Sequence, residues 1–102
     1  MARVRKKRVR WNPSADHDVA GYKLYWTIGE GVGYHSPFAE VGTRTEILLP
    51  DEVPSFPLVE GDVEIGITAV NHSGNESDMM KSSGPFNFAS PAAPTGVLVE
   101  DV

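Results

Sequence analysis

Apolar and polar residues alternate over short stretches, and turn residues separate the stretches. No segment sustains the i, i+3, i+4 apolar spacing of a helix. The period-two reading predicts a strand over 7–11, with Val9 and Trp11 on one side, stopped by Asn12-Pro13 because proline donates no ladder hydrogen bond. A second strand runs from Gly21 to Ile28, with Tyr22, Leu24 and Trp26 inward and Lys23 and Tyr25 on the outer face. Gly29-Glu30-Gly31-Val32-Gly33 reads as a flexible hairpin connection. Weaker strands follow over 34–41, broken by Pro37, and over 43–49, with Ile47 and Leu49 as apolar partners. Residues 50–57 carry three prolines and are excluded from a central strand. The cleanest alternation spans 62–70: Val63, Ile65, Ile67 and Ala69 inward, Glu64, Gly66 and Thr68 outward. After the turn at 71–75, a last strand over 79–89 is interrupted by Pro85 and sets Phe86 and Phe88 on one face. Residues 91–94 read as a linker, and 96–102 as a short additional strand.

About seven short strands with a turn every 8–12 residues predict an all-β, antiparallel sandwich. The predicted core is Val9, Trp11, Tyr22, Leu24, Trp26, Ile47, Leu49, Val63, Ile65, Ile67, Ala69, Phe86 and Phe88. A chain of 102 residues is one domain, long enough for one core. The domain is placed at 1–90, with 91–102 as a proline-rich linker plus extra strand.

Charge sharpens the picture. The net charge is −5, but Arg3, Arg5, Lys6, Lys7, Arg8 and Arg10 crowd the first ten residues without an acid. In the rest of the chain only Lys23, Arg44 and Lys81 offset the 14 carboxylates. A basic head on an acidic body suits an edge strand protected by charge, or association with another copy of the body. Six cations could also meet phosphates, but no basic face lies elsewhere, so the charge balance disfavours nucleic acid.

Candidate chemistry is sparse. The chain has no cysteine, which excludes disulfides, thiolate metal sites and a cysteine nucleophile. Asp16-His17-Asp18 offers three ligand types in a row, but neighbours seldom converge on one ion, so it reads as a solvated turn. His35 and His72 are lone histidines near turns. The glycines at 29, 31 and 33 precede no Lys-Ser/Thr and open no helix, so they are not a phosphate loop. There is no Gly-x-Ser-x-Gly elbow. Asn71-His72-Ser73 and Asn75-Glu76-Ser77 match the glycosylation sequon, which matters only in a eukaryotic secretory setting. No catalytic, cofactor or metal residue is assigned, and the chain is read as non-enzymatic. No apolar run approaches 18 residues, so no membrane span is expected. The charged start lacks the apolar stretch of a signal peptide.

Four motifs in order resemble the fibronectin type III family: Val9-Arg10-Trp11-Asn12-Pro13 its strand B, 19–26 (Val-Ala-Gly-Tyr-Lys-Leu-Tyr-Trp) its strand C, 65–70 its strand F, and 71–77 the Gly-Asn-Glu-Ser turn of bacterial members. The resemblance covers 8–90 and implies an immunoglobulin-like sandwich acting as a structural, adhesion or protein-binding module, extracellular or surface-associated. Two departures stand out. The family's corner tyrosine is replaced by Val63, in a corner reshaped by Pro54 and Pro57, and Lys7 falls at an inward position, as if the ordered strand began after it. The family's first strand also has almost no chain to form from, whereas Pro91 to Val102 looks like such a strand with its leading prolines. That tail either starts a second repeat, folds back on its own sheet, or completes the sheet of a neighbouring copy. The expected partner is therefore protein, a neighbouring repeat or another copy, with glycan as a second class of ligand. Arg3, Arg5, Lys6, Lys7, Arg8, Val97, Leu98 and Val99 are the candidate contact residues. Self-assembly into a surface filament or virion through 95–102, and service as an accessory module of a secreted carbohydrate-active enzyme, are the alternative functions.

Overall fold

Period-two segments become strands where each finds a neighbour to share its ladder. A computed structural model describes residues 5–56, 61–82, 86, 88 and 90–102. Among these residues six strands form: β1 (Lys7–Arg10), β2 (Val19–Ile28), β3 (Phe38–Gly42), β4 (Glu46–Leu49), β5 (Val63–Asn71) and β6 (Met80–Lys81). They make two antiparallel sheets, ordered β1-β4 and β3-β2-β5-β6. The architecture is the all-β sandwich that the alternation predicts, with six strands among the described residues where about seven are expected.

The two sheets enclose one core. Tyr22, Leu24 and Trp26 of β2 and Val63, Ile65 and Ile67 of β5 face Ile47 and Leu49 of β4, and all are buried. Val9, Trp11, Ala69 and Phe86 pack against this core from half-buried positions. Phe88 is buried and meets Phe56 edge-on at 5.9 Å. Two buried side chains come from the proline-rich stretch after β4: Val53 and Phe56 turn inward through Val53 N to Pro50 O and Phe56 N to Val53 O. Phe56 packs on Trp26 with ring centroids 5.2 Å apart. This turn and a reciprocal backbone pair between Val63 and Phe86 occupy the corner where the resemblance expects a tyrosine. Pro57 lies outside the described residues, as do 83–85, 87 and 89 of the predicted last strand.

Three expectations need correction. Lys7 belongs to β1 and pairs with Leu49. It is half-buried, because a lysine stem can line apolar surface while its ammonium stays wet. Among the described residues of the predicted 79–89 strand, Met80–Lys81 pair with β5 and Phe86 makes an isolated bridge, while 79, 82 and 88 are not strand. Residues 96–102 form no strand, since the tail has no neighbouring strand within its own chain.

Tyr25 is on the outer face of β2 as expected, and it is only 2% exposed. The outer face of the larger sheet carries a second apolar layer. Tyr25 packs on Phe38 at 5.2 Å and on Tyr34 at 6.2 Å. Val32, from the glycine-rich connection, is buried, and the Met79 side chain lies over Gly66. A Cβ at Gly66 would collide with Met79. Gly66→Ala should therefore lower stability by about 1–3 kcal/mol. Adding Met79→Ala should recover part of that loss in a denaturant titration. Recovery of nothing would mean that Met79 does not occupy this space.

Candidate interaction surface

The two-stranded sheet has two edges, and among the described residues only one is covered. On the β4 edge, Leu48 N donates to Glu52 Oε1 at 2.7 Å, and Glu52 is held by Arg44 at 2.5 Å. The pair with Arg44 comes first, and with the Leu48 amide it keeps the Glu52 carboxyl below the usual carboxylate range. On the other side, Trp11 N donates across to Thr45 O at 3.0 Å. By the two-residue alternation of a strand, Val9 and Lys7 also direct their amides toward β4, and Arg8 and Arg10 direct theirs away. Among the described residues, neither Arg8 N nor Arg10 N has an acceptor. An uncovered strand edge is a template for another strand.

The space beside this edge is a groove between the sheets. Its volume is about 480 Å³, with Val9, Ile65 and Phe86 as the apolar part of its lining and Lys7 and Lys81 at its margin. A second hollow of about 430 Å³ continues past Trp11, Ile67 and Met80. Trp11 Nε1 is buried without a partner among the described residues. A buried unsatisfied donor costs about 1–3 kcal/mol.

The sequence-predicted contact residues divide between this edge and the tail. Arg3 lies outside the described residues. Arg5 is exposed and, with Lys7, makes no ion pair among the described residues. Lys6 pairs with Asp51 at 2.6 Å, and Arg8 and Arg10 approach Glu46 at 3.8 and 4.0 Å. The basic head is thus partly balanced by its own body through exposed pairs, each worth about 0–1 kcal/mol. Val97, Leu98 and Val99 are 88%, 74% and 91% exposed, and residues 91–102 make no hydrogen bond among the described residues.

A third feature has no signal in the alternation. The Glu76 carboxylate sits on the outer face of the larger sheet. Oε2 accepts from the Tyr25 hydroxyl and from Thr68 Oγ1, the latter at 2.6 Å, and Oε1 is 3.5 Å from Lys23 Nζ. Lys23 also lies over the Phe38 ring at 4.6 Å. Burial pushes the Glu76 carboxyl up, but the Thr68 and Tyr25 hydrogen bonds and the Lys23 charge outweigh it and hold it below its ordinary value. Tyr25 is pushed up to about 12, first by burial and then by its bond to Glu76. Every polar atom here is engaged, so the cluster is built to hold the face together.

The loops are likewise tied. Asp18 Oδ1 accepts from His72 Nδ1 at 2.7 Å, joining the 12–18 loop to the 71–75 turn. Ser14 N donates to the Tyr22 hydroxyl. Glu64 accepts from Gly31 N and Val32 N, so the glycine-rich connection cradles a carboxylate of its own chain. Among the described residues no helix is long and apolar enough to cross a membrane. No protein-family model, curated protein or solved structure matches this chain.

Proposed function

We propose that the chain is a non-catalytic β-sandwich module of fibronectin type III character that works by protein contact, in a structural or adhesive role at a cell or virion surface. The observation that carries this reading is the uncovered β1 edge beside an apolar groove. The strand order adds support. In an immunoglobulin-like sandwich, strand B neighbours E, and C neighbours F and then G. Here β1 neighbours β4, and β2 neighbours β5 and then β6, which leaves the place of a first strand beside β1. The polar clusters point the same way, since Glu76, Glu64, Asp18 and His72 are consumed by internal bonds.

Site-specific photocrosslinking in the producing cell tests this reading. A benzophenone side chain at Arg10 should give protein adducts, and one at Glu30, on the exposed tip after β2, should give few. Arg8→Pro removes an outward amide at an edge position where proline is tolerated, and should abolish the Arg10 adducts with little change in melting temperature. Adducts that survive Arg8→Pro, or that gather only at Glu30, would overturn the reading.

A further inference from the structure

Resting on the module reading, the structure points to a specific occupant of the β1 edge. We propose that residues 97–101 of one chain add to β1 of a second copy as an antiparallel strand, with Val99 opposite Val9 and Glu100 opposite Arg8.

The register follows from residue chemistry. With Val99 at Val9, Val97 falls at Trp11, so both valines meet half-buried apolar residues of the groove wall. On the alternate face Glu100 falls beside Arg8, while Asp101 falls at the groove margin beside Lys7, which has no ion pair among the described residues. Opposite charges placed directly across a ladder stabilise it. A slip of one residue would turn both valines to solvent. A slip of two would set Val99 beside Lys7 and leave Trp11 facing Thr95. In the proposed register Arg8 and Arg10, whose amides point outward, form the hydrogen-bonded pairs with Glu100 and Leu98. The added strand thus supplies the acceptors that the edge lacks among the described residues.

The donor belongs to another copy for a geometric reason. Phe88 packs on Phe56, in the turn that follows Leu49, and Leu49 is the partner of Lys7. Trp11 packs on Tyr22 at the opposite end. The tail therefore leaves the sandwich where β1 begins. To pair antiparallel within its own molecule it would have to run past the whole of β1 and turn back. Each copy then offers one donor tail and one acceptor edge. Such a contact propagates head to tail unless two copies exchange tails or a ring closes.

The natural lack of cysteine makes the test direct. Full-length Arg8→Cys and Glu100→Cys chains, mixed and mildly oxidised, should form a mixed disulfide, since opposed Cα atoms in such a pair lie about 5.5 Å apart. The double variant should form intermolecular ladders. Replacing Glu100→Cys by Val99→Cys presents the thiol on the other face and should slow the link about tenfold. Leu98→Pro deletes one ladder hydrogen bond and should weaken association about tenfold in light scattering. Its melting temperature in dilute solution should not change, because the tail packs on nothing in its own chain. A double variant that oxidises to a closed monomer would show pairing in cis and overturn the inference. So would linkage no faster than between Glu30→Cys and Glu100→Cys. A different protein found at the β1 edge would also overturn it while leaving the module reading intact; an edge that takes no protein removes both.

Discussion

Trp26→Ala is expected to cost about 3–5 kcal/mol, the largest loss for any single substitution in this chain. Trp26 is buried between β5, where it pairs with Ile65, and the inward turn at Phe56. Removing the indole deletes its own buried area and also strips the support from Phe56, which in turn touches Phe86 and Phe88. A domain of this size commonly holds only 5–15 kcal/mol, so the variant should melt roughly 15–30 °C lower. Phe56→Ala in the same background should cost less than it does alone, because the two rings share one contact. Full additivity in a double-mutant cycle would mean that the 50–56 turn is not coupled to β2.

Glu76→Gln is the second large effect, at about 2–3 kcal/mol near neutral pH. Glutamine keeps the shape but removes the charge that accepts from Tyr25 and Thr68 and attracts Lys23. The pH dependence separates charge from shape. The fold favours ionised Glu76, so that stabilisation is present above the carboxyl's unfolded range and is lost as pH falls through its lowered folded range. The fold also favours the protonated Tyr25 phenol. That contribution is whole below pH 10.0, the ordinary tyrosine value, and declines as pH rises toward about 12. Thermal midpoints of the native chain should therefore fall at both extremes. The glutamine variant should show a shallower acid limb and a smaller alkaline loss. Unchanged limbs would place the pH dependence elsewhere.

The strands that bury a continuous face were legible because their period survives translation into structure: Val63, Ile65 and Ile67 alternate in sequence and line one wall of the core. Val32, Val53 and Phe56 were not, since they lie in segments marked by glycine and proline, and burial there depends on where a turn folds rather than on period. Thr68 and Gly66 read as outward and are outward, yet both are buried by a second layer that no alternation within β5 reveals. Glu76 gave no signal either. A carboxylate in an Asn-Glu-Ser turn looks solvated until β2 and β5 place Tyr25, Thr68 and Lys23 around it. The basic head was legible as an edge device, but its parity was decisive only once Trp11 was seen to bond Thr45. Residues 96–102 alternate like a strand but form none here, because strand character in a sequence needs a neighbouring strand to become a ladder.

Amide hydrogen exchange across a dilution series tests the open β1 edge most directly. At low concentration Lys7, Val9 and Trp11 should be protected and Arg8 and Arg10 should exchange freely. As concentration rises, Arg8 and Arg10 should gain protection together with Leu98 and Glu100. Protection of Arg8 and Arg10 that is already complete in the dilute monomer would contradict an open edge. Free exchange at every concentration would contradict its closure by a second copy.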